Sequence, residues 1–149
     1  MRRDSNEALL RQAANIRALQ CLAAEARASR AAADLREKNE AHVEGEQRMS
    51  AIEERWHASL AESVIRVEMI PLLHVAFAAE GDAVRAAASD VERAQTVLEE
   101  RTNEFREASM HRDNAEDMAA EARKERMRRR EEAAVQDASD RHAQRWSGE

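Results

Sequence analysis

The sequence predicts an all-α protein in which two long helices form an antiparallel coiled-coil hairpin. Three observations predict this fold: one uninterrupted helical frame in the second half of the chain, a composition rich in alanine and charged residues, and a single proline near the middle. Each observation fixes a different part of the prediction.

The helical frame predicts the second helix. Steps of three and four residues lead without interruption from Ile70 through Val84, Leu98 and Phe105 to Ala143. The positions in this frame are apolar and small as far as Leu98, and largely polar toward the end. A helix with this gradient is expected to pack firmly against a partner near its start and to leave that partner toward its end.

Composition favours an elongated helical structure over a compact core. Of 149 residues, 36% are charged and only 3% are aromatic. Alanine, the most frequent apolar residue, favours helix but contributes little area to bury, so a three-layer fold is excluded. Three glycines and one proline are too few for a disordered chain of this length.

The charge distribution is uneven along the chain. Residues 71–122 carry 5 basic and 12 acidic side chains, whereas residues 123–149 carry 8 basic and 6 acidic ones. The acidic middle is therefore followed by a basic segment, which is a candidate surface for an oppositely charged partner.

Cysteine content and apolar runs predict a soluble, cytoplasmic protein. Cys21 is the single cysteine, which fits a reducing compartment. The basic start of the chain is not followed by an apolar signal stretch. The most apolar stretch, residues 69–79, is far shorter than the roughly 20 residues that span a bilayer.

Pro71 predicts the corner of the hairpin, because proline disfavours helix at the preceding residue and suits the first turn of a new helix. Residues 1–149 are then one hairpin with frayed ends, a first helix over about 5–68 and a second over about 71–145. Each arm would be about 100 Å long at 1.5 Å per residue. A corner at Gly81-Asp82 is the alternative, and Gly45 is a weak point within the first helix.

Folding about residue 70 places residues opposite each other when their numbers add up to about 140. Leu35 then faces Phe105, and Trp56 faces Val84. Large side chains meet smaller ones along much of this seam, as interlocking layers require. The predicted seam comprises Leu35, Met49, Ile52, Trp56, Val84, Val91, Leu98 and Phe105.

At the ends of the hairpin this register brings aliphatic and basic side chains together. Leu9, Leu10 and Ile16 are expected beside the basic block, whose cations are Arg123, Lys124, Arg126, Arg128, Arg129 and Arg130. One interpretation is a mixed apolar and cationic surface for an acidic partner. The other is a frayed, solvated end in which arginine stems cover the leucines.

At the corner, apolar side chains point in several directions. The predicted tip comprises Ile65, Ile70, Pro71, Leu72 and Val75. A two-helix tip cannot bury all of them, so they form either a docking patch or a small cluster that closes the hairpin.

The sequence shows no arrangement that indicates catalysis. The five histidines have neither i,i+4 spacing with one another nor an HExxH context, so we expect no metal site. Carboxylates on a two-helix rod lack the concave pocket that acid-base chemistry needs. We therefore expect a protein that is not an enzyme and binds no cofactor.

The segment from Ala122 to Ala138, together with Leu98, Arg101 and Phe105 at helical spacing before it, resembles the FliJ/YscO family of flagellar and type III secretion export. The resemblance implies a stalk that stands in the central hole of a hexameric export ATPase, as the gamma subunit does in rotary ATPases. Its far end would reach the export gate protein at the cytoplasmic face of the inner membrane, and secretion chaperones would be further partners. It also implies that Arg123–Arg130 lies at the ring and that the tip near Pro71 points away from it.

Two other functions fit the same features. A structural or adaptor coiled coil would self-associate into a homo-oligomer through its alanine-rich seam. A membrane-surface or RNA binder would use the basic block, but a net charge of -6 and the lack of interleaved aromatic residues disfavour nucleic acid.

Overall fold

A computed structural model of the chain is an all-α helical hairpin, which confirms the predicted fold class. Helix α1 comprises Arg2–Ala61 and helix α2 comprises Met69–Trp146. The structure describes the backbone of residues 2–62, 64 and 66–146, and the side chains of residues 6–62, 64 and 66–143. Within these ranges no residue is in a β-strand.

The chain reverses between Ala61 and Met69, earlier than predicted. α1 ends seven residues before its expected end, in a stretch where Val64, Ile65 and Val67 supply β-branched side chains of lower helix propensity. The amide of Met69 donates to the carbonyl of Arg66 at 2.9 Å, which forms the turn into α2. Pro71 is thus not the corner itself but the third residue of α2. N–H groups in the first turn of a helix make no intrahelical hydrogen bond, so proline, which lacks an N–H, costs none there.

The alternative corner is wrong, because α2 runs without a break through Gly81 and Asp82. Gly45 likewise lies inside α1, at a point of close approach between the helices. A Cβ atom at Gly45 would lie 3.1 Å from Cγ2 of Val84, tighter than an ordinary van der Waals contact. The glycine therefore allows closer packing here.

Contacts divide the chain into two compact units: unit 1 consists of Met1–Ala24 and Phe105–Glu149, and unit 2 of Glu25–Glu104. The buried apolar residues of unit 1 are Ala14, Cys21 and Ala24, and those of unit 2 are Ala31, Leu73 and Ala94. Most of these side chains are small. Each unit therefore depends on close helix contact more than on large buried surfaces.

In unit 2 the register differs from the predicted one. Nε of Arg48 donates to Oε1 of Glu80 at 2.6 Å, and Nε of Arg27 lies 3.5 Å from Oε2 of Glu104. Facing residues here have numbers that add up to 128–131. The pairing of Leu35 with Phe105 is wrong, because the earlier reversal shifts the partner of each α1 residue by about ten positions.

Trp56 shows the same shift within unit 2. It lines one groove with Leu73 and Phe77, whereas the predicted register placed it opposite Val84. The side chain of Val84 lies against Gly45 instead. The aromatic residues of this part of the seam therefore meet near the start of α2.

Glu104 of α2 pairs with Arg27 of α1 and with Arg101 of its own helix. Nη1 of Arg101 donates to both carboxylate oxygens, at 2.8 and 2.9 Å. This hydrogen bond and the charges of Arg101 and Arg27 hold the pKa of Glu104 below its ordinary value, although partial burial opposes them. The carboxylate thus favours the folded state above its ordinary pKa, and this contribution is lost as the pH falls.

The burial pattern along α2 follows the predicted frame. Among the described residues from Leu73 to Arg126, the frame positions are buried or half-buried, except that Phe77 is 37% exposed. From residue 127 to residue 143 every side chain is exposed. The end of α2 is therefore not covered by α1.

Gly81 offers a simple test of the continuous α2 helix. A Cβ atom there would meet only Nη1 of Arg85, at 3.8 Å. Because alanine is favoured over glycine inside a helix, we expect Gly81→Ala to raise the free energy of unfolding by about 1 kcal/mol and the melting temperature by about 3 °C. A thermal melt followed by circular dichroism measures this, and a lower melting temperature would contradict it.

Candidate partner-binding site

The candidate site lies in unit 1, where the contact between the helices ends. Arg126 is the last half-buried side chain of α2 among the described residues. Its Nη1 donates to Oε2 of Glu7 on α1 at 2.9 Å. This ion pair closes the seam of unit 1.

Two shallow grooves meet at the Glu7–Arg126 pair. The larger has a volume of about 470 Å³ and is lined by Asn6, Glu7, Ala122, Glu125, Arg126, Arg129, Arg130 and Ala133. The smaller is lined by Glu7, Ala8, Arg11, Gln12, Asn15 and Arg126. Both are open and cationic on balance, so they suit carboxylates of a partner more than an enclosed small molecule.

The cations of the basic block differ in their contacts. Arg126 pairs with Glu7 across the helices, and Arg129 pairs with Glu125 one turn earlier in α2. The remaining cations, at positions 123, 124, 128 and 130, are exposed. Because successive helical residues point about 100° apart, these four exposed cations lie on one side of the helix, within a sector of about 160°.

The register of unit 1 places Leu10, but not Ile16, opposite the basic block. Cys21 contacts Arg112 and Glu7 contacts Arg126, so the numbers of facing residues add up to 133. Leu10, which is half-buried, therefore faces position 123 at the start of the block, whereas Ile16 corresponds to position 117. Leu9 and Ile16 are 59% and 48% exposed, so arginine stems do not cover them.

The seam of unit 1 contains a polar contact that the sequence analysis did not identify. Nη1 of Arg112 lies 3.7 Å from Sγ of the buried Cys21, and Nη2 donates to Oδ1 of Asp113 at 2.7 Å. The hydrogen bond and charge of Asp113 raise the pKa of Arg112, so its charge is retained here. The sequence did contain a signal for this contact: Arg112 occupies a seam position of the helical frame, and an arginine in a seam needs polar partners.

The predicted tip lies in unit 2 and divides into two parts. One part lines a small crevice, formed by Trp56, Ser59, Leu60, Arg66, Met69, Ile70 and Leu73. Outside it, Leu72 and Val75 are 64% and 66% exposed, and Pro71 is exposed as well. Ile65 lies outside the described residues. Part of the predicted tip therefore lines the crevice, and the other side chains leave an apolar surface exposed.

The predicted seam residues are all half-buried. This group comprises Leu35, Met49, Ile52, Trp56, Val84, Val91, Leu98 and Phe105. They pack in the register given above, so their role is to hold the helices together rather than to contact a partner.

The Glu7–Arg126 ion pair can be tested by a neutral substitution. Because both side chains are partly exposed, we expect Glu7→Gln to cost at most about 1 kcal/mol of unfolding free energy at low salt, and less at high salt. Urea unfolding at two salt concentrations measures the difference. Glu44→Gln, at an exposed position of α1, is the control, and an equal loss in both variants would contradict the assignment.

The described residues contain no group of three or more histidine, cysteine, aspartate or glutamate side chains that could hold a metal ion. Over the same residues, neither helix has a segment long and apolar enough to cross a membrane.

No family model, curated protein or solved structure matches the chain. The functional assignment therefore depends on the geometry of the two units and on the resemblance described above.

Proposed function

We propose that this protein is the non-enzymatic central stalk of a hexameric type III secretion export ATPase and couples the ATPase ring to the export gate. The observation that carries the proposal is the end of α2, where every described side chain from residue 127 to residue 143 is exposed. The basic block begins just before this segment, at the end of the seam.

A helix segment whose side chains are exposed on all sides does not bury an apolar face within its own chain, so all its sides are open to another molecule. The end of α2 has local contacts: Gln136 donates to Asp140 at 3.1 Å, and Nε of Arg141 donates to the carbonyl of Asp137 at 3.0 Å. A ring of six subunits contacts a central helix from every direction. Taken together, the six cations of the basic block point in all directions around the helix, which fits an acidic inner wall of such a ring.

The apolar tip of unit 2 supplies the second contact that a coupling protein needs. Val64, Leu72 and Val75 are each more than 60% exposed. Leu72 and Val75 lie one turn apart on α2, and neighbouring exposed aliphatic side chains of this kind mark protein interaction sites. In the proposal this surface binds the export gate protein, while the basic block in unit 1 binds the ATPase.

The stoichiometry of the complex tests the stalk proposal directly. We expect one chain to bind six ATPase subunits, and to promote hexamer formation and ATP turnover. Light scattering of the purified complex gives the ratio, and a coupled ATP assay gives the turnover. A ratio of one chain per ATPase subunit, or no change in assembly and turnover, would argue against a central stalk.

Charge reversal identifies the surface involved. The variant Arg123→Glu, Lys124→Glu, Arg128→Glu and Arg130→Glu leaves Arg126 with Glu7 and Arg129 with Glu125. We expect it to weaken ATPase binding at least tenfold, or about 1.4 kcal/mol, and to abolish the stimulation.

The matched control reverses exposed cations elsewhere on the chain. Arg30→Glu, Arg36→Glu and Arg55→Glu change three charges on α1 in unit 2. We expect this variant to retain ATPase binding. Equal weakening by both variants would indicate a nonspecific charge effect and contradict the assignment to the basic block.

A further inference from the structure

The N-terminal part of α1 carries a second apolar frame on the face away from α2. We call it the outer stripe; it consists of Leu9, Gln12, Ile16, Leu19 and Ala23. All five side chains are exposed, with Leu19 at 67% and Leu9 at 59%. The contact with α2 uses other residues, namely Leu10, Ala14, Cys21 and Ala24, which are half-buried or buried.

The spacing of the outer stripe is that of a coiled coil. Its members follow one another at three, four, three and four residues, so they lie along one line of the helix. A helix with apolar lines on two opposite faces can pack against two neighbours. α2 is one of them, and the outer stripe is available for another.

We propose that a second copy of this chain packs on the outer stripe, α1 against α1, as a parallel two-stranded coiled coil. Identical residues of the two copies then face each other along the stripe. The inference concerns the free chain and does not depend on the stalk proposal, which rests on the basic block of α2.

Gln12 indicates that the occupant is a second copy. Its side-chain amide interrupts the apolar stripe, so a wholly apolar partner surface would leave the donor and acceptor unsatisfied. In a symmetric parallel pair, Gln12 faces Gln12 of the second copy, and each amide can donate to and accept from the other. Single polar residues at such positions set the register and the number of strands.

The other stripe residues also favour a parallel pair. Ile16 and Leu19 occupy successive core positions, and a β-branched residue followed by leucine favours two parallel strands. An antiparallel pair in which Leu9 faces Leu19 would place Gln12 opposite Ile16, which leaves the Gln12 amide against an aliphatic side chain.

Charge does not oppose the pairing of identical helices. The residues that flank the outer stripe are all uncharged: Ala8, Ala13, Asn15, Gln20 and Leu22. In unit 1, α2 lies on the opposite face of α1, so the basic blocks of two copies would lie on the outer sides of the pair. Like-charge repulsion at close range is therefore avoided.

The size of the stripe predicts a weak dimer. Two heptads from each copy would bury on the order of 1,000 Å² in total, at the low end of specific interfaces. Because contact with α2 already holds α1 folded, association does not pay for ordering the helix again. We therefore expect a dimer that forms at high concentration and dissociates on dilution.

Sedimentation equilibrium of the full chain over a wide concentration range tests the dimer. The mass of the wild-type protein should approach that of two chains at high concentration and of one chain on dilution. Ile16→Glu should weaken dimerisation at least tenfold, whereas the matched control Met118→Glu, at an exposed position of α2 in the same unit, should leave it unchanged. Circular dichroism of dilute samples should show equal helix content in both variants.

Cysteine crosslinking tests the orientation. In a Cys21→Ala background, Leu9→Cys should form a disulfide-linked dimer on mild oxidation, and Met118→Cys should not. A monomer at every concentration, a dimer insensitive to Ile16→Glu, or no crosslink through Leu9→Cys would each overturn the proposal.

Discussion

Ala31→Asp should lower the free energy of unfolding by about 3 kcal/mol. Ala31 is only 8% exposed and lies where α1 packs against α2 in unit 2. Aspartate would place a carboxylate in this contact, where burial removes it from water. Its side chain is too short to reach water along the helix, as a longer charged side chain would. Urea unfolding followed by circular dichroism measures the loss.

Ala33→Asp is the matched control, two residues further along the same helix. Ala33 is exposed, so the substitution costs only the difference in helix propensity, about 0.7 kcal/mol. Similar losses in the two variants would mean that the contact at Ala31 is not formed in solution.

The helices were predictable because their signal repeats many times. Every three or four residues the frame from Leu73 to Arg126 supplies another position, and a single exception such as Phe77 does not obscure it. The exposed end of α2 followed from the same frame, since its positions become polar beyond Ala122. Period and composition therefore determine the secondary structure and the extent of the seam.

The position of the corner was not predictable from proline alone. Pro71 is compatible both with a helix that starts at it and with one that starts two residues earlier. The stronger signal was the cluster of Val64, Ile65 and Val67, which lowers helix propensity just after Ala61. When the corner moves by one residue, the sum of the numbers of any two facing residues changes by two.

Register was the least predictable feature because the seam is built from small residues. Alanine buries similar areas in several registers, so apolar pairing alone does not choose among them. The contacts that distinguish the actual register are polar or close: Arg48 with Glu80, Glu7 with Arg126, and Gly45 with Val84. The site prediction shared this error, since it placed Ile16 beside the basic block and overlooked Glu7.

Small seam residues also explain how a chain with few large buried side chains forms a stable contact. Gly45, Ala31 and Ala94 let the backbones of unit 2 approach, so that dispersion contacts partly replace the missing hydrophobic area. Packing of this kind is little affected when polar groups are removed from the surface, but it is disrupted when a larger side chain is introduced where the helices are in close contact. The size of the residue at each close position should therefore determine stability more than its hydrophobicity.

Gly45→Leu should accordingly lower the free energy of unfolding by about 2 kcal/mol, despite the better helix propensity of leucine. Its Cβ atom alone would lie 3.1 Å from Cγ2 of Val84, and the rest of the side chain would force the helices of unit 2 apart. Chemical unfolding of the single variant measures the loss.

A double-mutant cycle separates this clash from a general intolerance of leucine in α1. Val84→Ala removes the methyl group that lies against Gly45, so the two substitutions together should cost at least about 1 kcal/mol less than the sum of the single losses. Strictly additive losses would show that Gly45 and Val84 are not in contact. The register of unit 2 would then have to be different, because this pair fixes the position of α1 against α2.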